Sequence, residues 1–197
     1  MSGATLIEQA NSAQAVINAY GILPEQNLVQ PGYSFASVAQ SISVTYANTY
    51  GRFSVMDNLC AFSMAANGGI SGGPPIVLAA ASEAQIFGTS NGVPPMISGI
   101  ALINNAAPGG PKEERGSTAN QNLDGALCLR SLATGKNAAT GAPLTGTQKA
   151  QADRIADGVG EVLATGRLRR VPAIFVTGRN DGILPPNFAS RAYFGLN

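Results

Sequence analysis

The sequence predicts an α/β fold: a mainly helical, loop-rich region over residues 1–146, then a helix–strand–helix piece of a doubly wound sheet over 147–197. Three observations carry this. Apolar residues recur at helical spacing near both ends of the chain. The run "AIFVTG" is apolar without alternation, which suits a strand buried on both faces of a parallel sheet. Between them lie three clusters rich in Gly, Pro and Asn, "NGGISGGPP", "GTSNGVPP" and "NNAAPGGP".

Taken in order, Leu6, Ala10, Ala13, Ile17 and Tyr20 predict a helix over Thr5–Tyr20, stopped by Gly21 and Pro24. A second helix is expected over Ser34–Tyr50, capped by Ser34 and ended by Gly51, although "SVTY" has strand propensity. Residues 52–143 read as the least regular part. Ile76–Leu78 and Ile100–Ile103 are short apolar pieces, Ser82–Phe87 suits a short helix, Lys112–Gln121 reads as an exposed loop, and "LDGALCLRSL" is a brief apolar stretch. So much loop suits a region that is functional or leans on a partner surface. Thr147 is expected to cap a helix over Gln148–Ala164, with Ala152, Ile155, Val159, Val162 and Leu163 inward. Arg167–Arg170 sit at its negative end, and Asn187–Tyr193 reads as the last helix.

The 197 residues carry a formal net charge of +1, with 12% charged residues against about 25% in ordinary domains. No basic patch points to nucleic acid. The longest apolar run is far short of the roughly 20 residues needed to span a bilayer. The start "MSGATLIEQANS" has neither the basic nor the apolar part of a secretory signal. Histidine is absent, which removes most metal sites and any imidazole base from these residues, and no cofactor is implied. Cys60 and Cys128 lack metal-ligand spacing; they either form one disulfide or stay two buried thiols.

The elbow pattern G-x-S-x-G occurs twice, at Ser71 in "GISGG" and Ser90 in "GTSNG". Neither has the strand before and helix after that hold a nucleophilic serine on a tight turn, so both read as loop serines. Arg52, Asp57 and Arg130 stand beside apolar pieces and read as solvated charges, with pairing across the fold as the alternative. Asp181 follows the expected strand, where functional groups of open α/β sheets collect, yet Asp-Gly is also a common turn pair.

Five segments, "TYANTYGRFSVMDNLCAFSMA", "AQIFGTSNGVPP", "INNAAPGGP", "NLDGALCLRSL" and "VTGRNDGILPPNFASRAY", resemble the D-(−)-3-hydroxybutyrate oligomer hydrolases. That resemblance implies a serine esterase with an α/β-hydrolase core, cutting 3-hydroxybutyrate oligomers to monomer. It covers the later part of such an enzyme, here a cap (1–146) and a core segment (147–197) that meets the remainder of the hydrolase core. By it, Asp181 becomes the triad acid, with the serine upstream and a histidine expected beyond Asn197. The implied cap would touch substrate through Phe87, Asn91 and Pro94, within Phe87–Pro95, and through Phe53–Phe62. The sequence leaves localisation open, and the resemblance favours an exported parent, extracellular or periplasmic. Without a base, these residues alone are expected to be inactive.

Overall fold

The computed structural model describes residues 5–35, 38–66, 73–81, 84, 100–116 and 122–196. The chain divides into two compact units, residues 1–34 with 164–197, and residues 35–163. This differs from the division at 146/147 read from the sequence, because the helix that begins at Gly146 packs with helices before it.

The first unit opens with α1 (Leu6–Tyr20). Thr5 Oγ1 accepts from the Glu8 amide at 3.2 Å, and the Thr5 amide donates to Glu8 Oε2 at 2.9 Å. This reciprocal pair satisfies two amides that the first turn leaves orphaned. Gly21, at φ 127°, ends the helix by donating back to Asn18 and Ile17. No residue of α1 is buried, so its apolar side lies open in this unit. A 3-10 turn, Pro24–Leu28, leads into α2 (Gln30–Phe35). The unit closes with a 3-10 turn at Pro186–Phe188 and a short helix, Ser190–Phe194. The expected helix over Asn187–Tyr193 is therefore split between the two. Residues 171–178 form no strand. Ile174 and Val176 are more than nine-tenths exposed. A strand is completed by its neighbours' backbone groups, and composition alone does not supply them.

The second unit holds α3 (Val38–Gly51), α4 (Leu123–Thr134) and α5 (Gly146–Val162), mutually packed beside a sheet of β1 (Phe62–Ala66), β2 (Ile100–Asn104) and β3 (Lys112–Glu113). The order is β1-β2-β3, antiparallel, with Phe62 opposite Asn104, Ala66 opposite Ile100, and Ile103 opposite Glu113. The expected helix over Ser34–Tyr50 is split between α2 and α3. The brief apolar stretch "LDGALCLRSL" is helical, as α4. Lys112–Gln121 is not wholly an exposed loop: its first two residues extend the sheet, and Glu113 and Glu114 are buried. Arg115 Nε donates to Glu113 Oε1 at 2.6 Å, which compensates the buried charge.

Two apolar clusters fill this unit. One gathers Leu59, Leu132, Leu144, Ala152 and Ile155; the other gathers Val44, Phe62 and Leu102. Cys60 packs against both and is bonded to Cys128 of α4, with Cα atoms 5.6 Å apart. Around it Asn58, Cys60 and Ala61 take left-handed backbone conformations, each disfavoured for a side-chain-bearing residue. Asn105 Nδ2 ties this turn down, reaching Asn58 Oδ1 at 3.0 Å and Ser63 Oγ at 2.9 Å. α5 places Ala152, Ile155 and Gly158 inward, while Val162 and Leu163 face out. Gly158 is required where it stands, because a Cβ there would lie 2.0 Å from the Tyr50 carbonyl oxygen. Thr147 lies inside α5, whose N-cap is Thr145. Arg52 does pair across this unit, Nη2 to Glu161 Oε2 at 2.5 Å, both exposed. Asp57 Oδ2 accepts from the Ser54 amide at 2.9 Å.

Candidate functional site

Asp181 sits in a loop that the first unit holds from one side. Gly178 turns the chain, its carbonyl accepting from the Asp181 amide at 3.3 Å. Asp181 Oδ1 then accepts from the amides of Ile183 at 2.9 Å and Leu184 at 2.8 Å. This is the side-chain-closed turn that Asp makes readily, and Pro185 and Pro186 stiffen its exit. Both amide bonds fall on Oδ1; among the described residues no donor reaches Oδ2.

The residues that fix this loop are far away in sequence. Gln26 is fully buried; its Oε1 accepts from the Leu23 amide at 2.7 Å, and its Nε2 donates to the Asp181 carbonyl. Gln30 Nε2 donates to the Gly182 carbonyl at 3.3 Å. Gly182 lies against Tyr33, and a Cβ there would come within 2.6 Å of the ring. Asn187 Nδ2 donates to the Gly21 carbonyl at 2.7 Å, and Phe188 stacks on Tyr20 with centroids 5.7 Å apart. Arg179 reaches Glu25 Oε1 through Nε at 2.8 Å and Nη2 at 2.5 Å. The Glu25 carboxyl is held below its usual range, first by a backbone hydrogen bond and then by Arg179.

Beside the loop lies a hollow of about 490 Å3, lined by Phe175, Thr177, Arg179, Pro186, Arg191 and Phe194 among others. Sequence reasoning reached Asp181 but not Gln26, Gln30 or Glu25, whose partners lie more than 150 positions away. Ser71, Ser90, Phe87, Asn91 and Pro94 fall outside the described residues. Phe53 does not stand open to a ligand: the Arg154 guanidinium lies 4.0 Å above its ring. Phe62 is buried in the second unit's core. Among the described residues no group of three His, Cys, Asp or Glu could hold a metal, and no helix is long and apolar enough to cross a membrane.

The family model for 3HB-oligomer hydrolases matches residues 1–197. The chain belongs to that family. A D-(−)-3-hydroxybutyrate oligomer hydrolase from Polaromonas naphthalenivorans is 44% identical over 206 residues, covering all of this chain and 27% of the relative. The namesakes from Ralstonia nicotianae and Ralstonia pickettii are 42% and 40% identical, again over the whole chain and 26% of their own length. The chain thus spans about a quarter of the curated relatives it matches. No solved structure matches it. The family resemblance read from the five segments therefore holds along the chain's full length.

Proposed function

We infer that this chain is part of a serine esterase that cleaves 3-hydroxybutyrate oligomers, and that Asp181 is its triad acid. The observation that carries the reading is the split use of one carboxylate. Oδ1 is anchored by two amides, and Oδ2 has no donor among the described residues. A triad acid needs both properties: a fixed position, and an oxygen open to the Nδ1–H of a histidine. The serine and histidine would come from outside these 197 residues, which contain no histidine. In the complete site the serine attacks the ester carbonyl, the imidazole takes its proton and returns it to the leaving hydroxyl, and Asp181 stabilises the imidazolium.

Residues 171–177 support the same reading. They are largely apolar and exposed, as a strand of an α/β-hydrolase sheet would be before its neighbours are in place. The loop-rich stretch before α5 would then cover the site as a cap. In the full-length protein carrying this chain, Asp181→Asn should lower turnover of 3-hydroxybutyrate dimer by about 10⁴-fold with the thermal unfolding midpoint little changed. Full turnover in that variant would remove Asp181 from the triad.

A second reading is favoured by the missing histidine: a non-catalytic module that completes a site with another chain. Hydrolysis of 3-hydroxybutyrate dimer by these residues alone, and then mixed with the rest of the hydrolase, separates the two readings. Activity only on mixing that Asp181→Asn abolishes supports a contributed acid, and activity on mixing that Asp181→Asn leaves unchanged supports the non-catalytic module. Activity alone would sink the argument from the absent imidazole and return attention to Ser71 and Ser90.

A further inference from the structure

Within residues 35–163, a cavity of about 820 Å3 is bounded by α3, α4 and α5. That is inside the roughly 300–1,000 Å3 range of small-molecule sites. Its wall mixes short side chains, Ala47 on α3, Ala133 on α4 and Ala156 on α5, with the larger Tyr46, Tyr50 and Leu129. Such a mainly apolar wall suits a ligand that itself carries a methyl branch at every repeat.

One charged group on this wall is unspent. Arg130 lines the same cavity, and its guanidinium makes no ion pair or hydrogen bond among the described residues. Glu114 also lines it, is buried and has an interaction of its own. An ester oligomer of a hydroxy acid ends in one carboxylate and one hydroxyl, and that hydroxyl is its only hydrogen-bond donor. Among the described residues the wall offers the Arg130 cation, the Glu114 carboxylate and otherwise mainly apolar surface.

We propose that this cavity is a binding subsite for a short 3-hydroxybutyrate oligomer, with the terminal carboxylate on Arg130. The proposal rests on the reading that these oligomers are the substrate. It is tested in the full-length protein by steady-state kinetics on 3-hydroxybutyrate trimer, its methyl ester and p-nitrophenyl butyrate. Arg130→Gln should raise KM for the trimer about tenfold at unchanged kcat and leave the methyl ester and p-nitrophenyl butyrate untouched. Ala133→Leu, which fills the cavity, should raise KM for trimer and methyl ester alike, with its unfolding midpoint showing that the fold survives.

Unchanged trimer KM in both variants would overturn the proposal. An equal effect of Arg130→Gln on trimer and methyl ester would overturn the carboxylate's place. Loss of turnover for every substrate, with a lowered unfolding midpoint, would mark the face as packing surface for the rest of the polypeptide and overturn the subsite. Should the wild type hydrolyse no oligomer, the functional reading falls first, and calorimetric titration with trimer decides the cavity separately. Saturable binding that Arg130→Gln weakens supports the subsite, and no binding refutes it.

Discussion

The two units are held together by different physics. Among the described residues, 35–163 contain all the buried apolar side chains, from Val44 to Ile155, with a disulfide whose Cys60 packs against both clusters. The unit formed by 1–34 and 164–197 is organised by side-chain amides instead: Gln26, Gln30 and Asn187 each bind a backbone carbonyl of a distant segment. Its apolar residues, Leu6, Val16, Ile174 and Val176 among them, remain largely exposed. The second unit has buried a hydrophobic core. The first fixes the loop that carries Asp181 while its own apolar side chains stay largely exposed.

The comparison breaks most sharply if the cores are not so unequal. Phe62→Ala removes a fully buried ring from the second unit and should cost about 3–5 kcal/mol in chemical denaturation. A loss under 1 kcal/mol would mean that this cluster is not the core it resembles. Gln26→Ala should cost less, about 1–3 kcal/mol, by stranding the Leu23 amide and the Asp181 carbonyl. Its effect should be confined to the first unit: amide exchange at 181–184 accelerates while that of β2 stays slow.

Ile174→Ser should change the stability of these residues alone by no more than about 0.5 kcal/mol, since the side chain is already exposed. A large loss there would show that residues 171–177 are buried in solution, and the contrast between the units would fail. Smallest is the effect of acid on Glu25. Its folded carboxyl titrates below its unfolded value, so its contribution is present above the unfolded pKa and fades as pH falls through the folded one. A carboxyl NMR titration should place its midpoint below that of an ordinary glutamate, and Arg179→Gln should move it back up.

How much of this the sequence discloses depends on the range of each interaction. α1 was legible because its signals are local: Thr5 and Glu8 three residues apart, and Gly21 at the end. α4 is hard to read from the sequence because Asn122 enters it in a left-handed conformation with no side-chain cap, and a glycine follows in the first turn. β1, "FSMAA", has little strand propensity of its own; its partner begins 34 residues after it ends, and pairing rather than composition makes it a strand. The reverse holds at 171–177, where composition reads as a strand and the described neighbours supply no ladder. At the site, family resemblance picked out Asp181. The glutamines that aim its loop stayed hidden, because nothing near position 26 or 30 indicates what lies near 181.

The bond between Cys60 and Cys128 closes a loop with a sequence separation of 68. A protease that cuts once between those positions therefore releases nothing. The nicked molecule still migrates as one species under non-reducing conditions and falls into two only when a thiol is added. A single cut after 128 separates the pieces in either condition. The crosslink thus divides the polypeptide into a stretch where backbone damage is covalently tolerated, which includes every strand of the sheet, and a stretch carrying Asp181 where it is not.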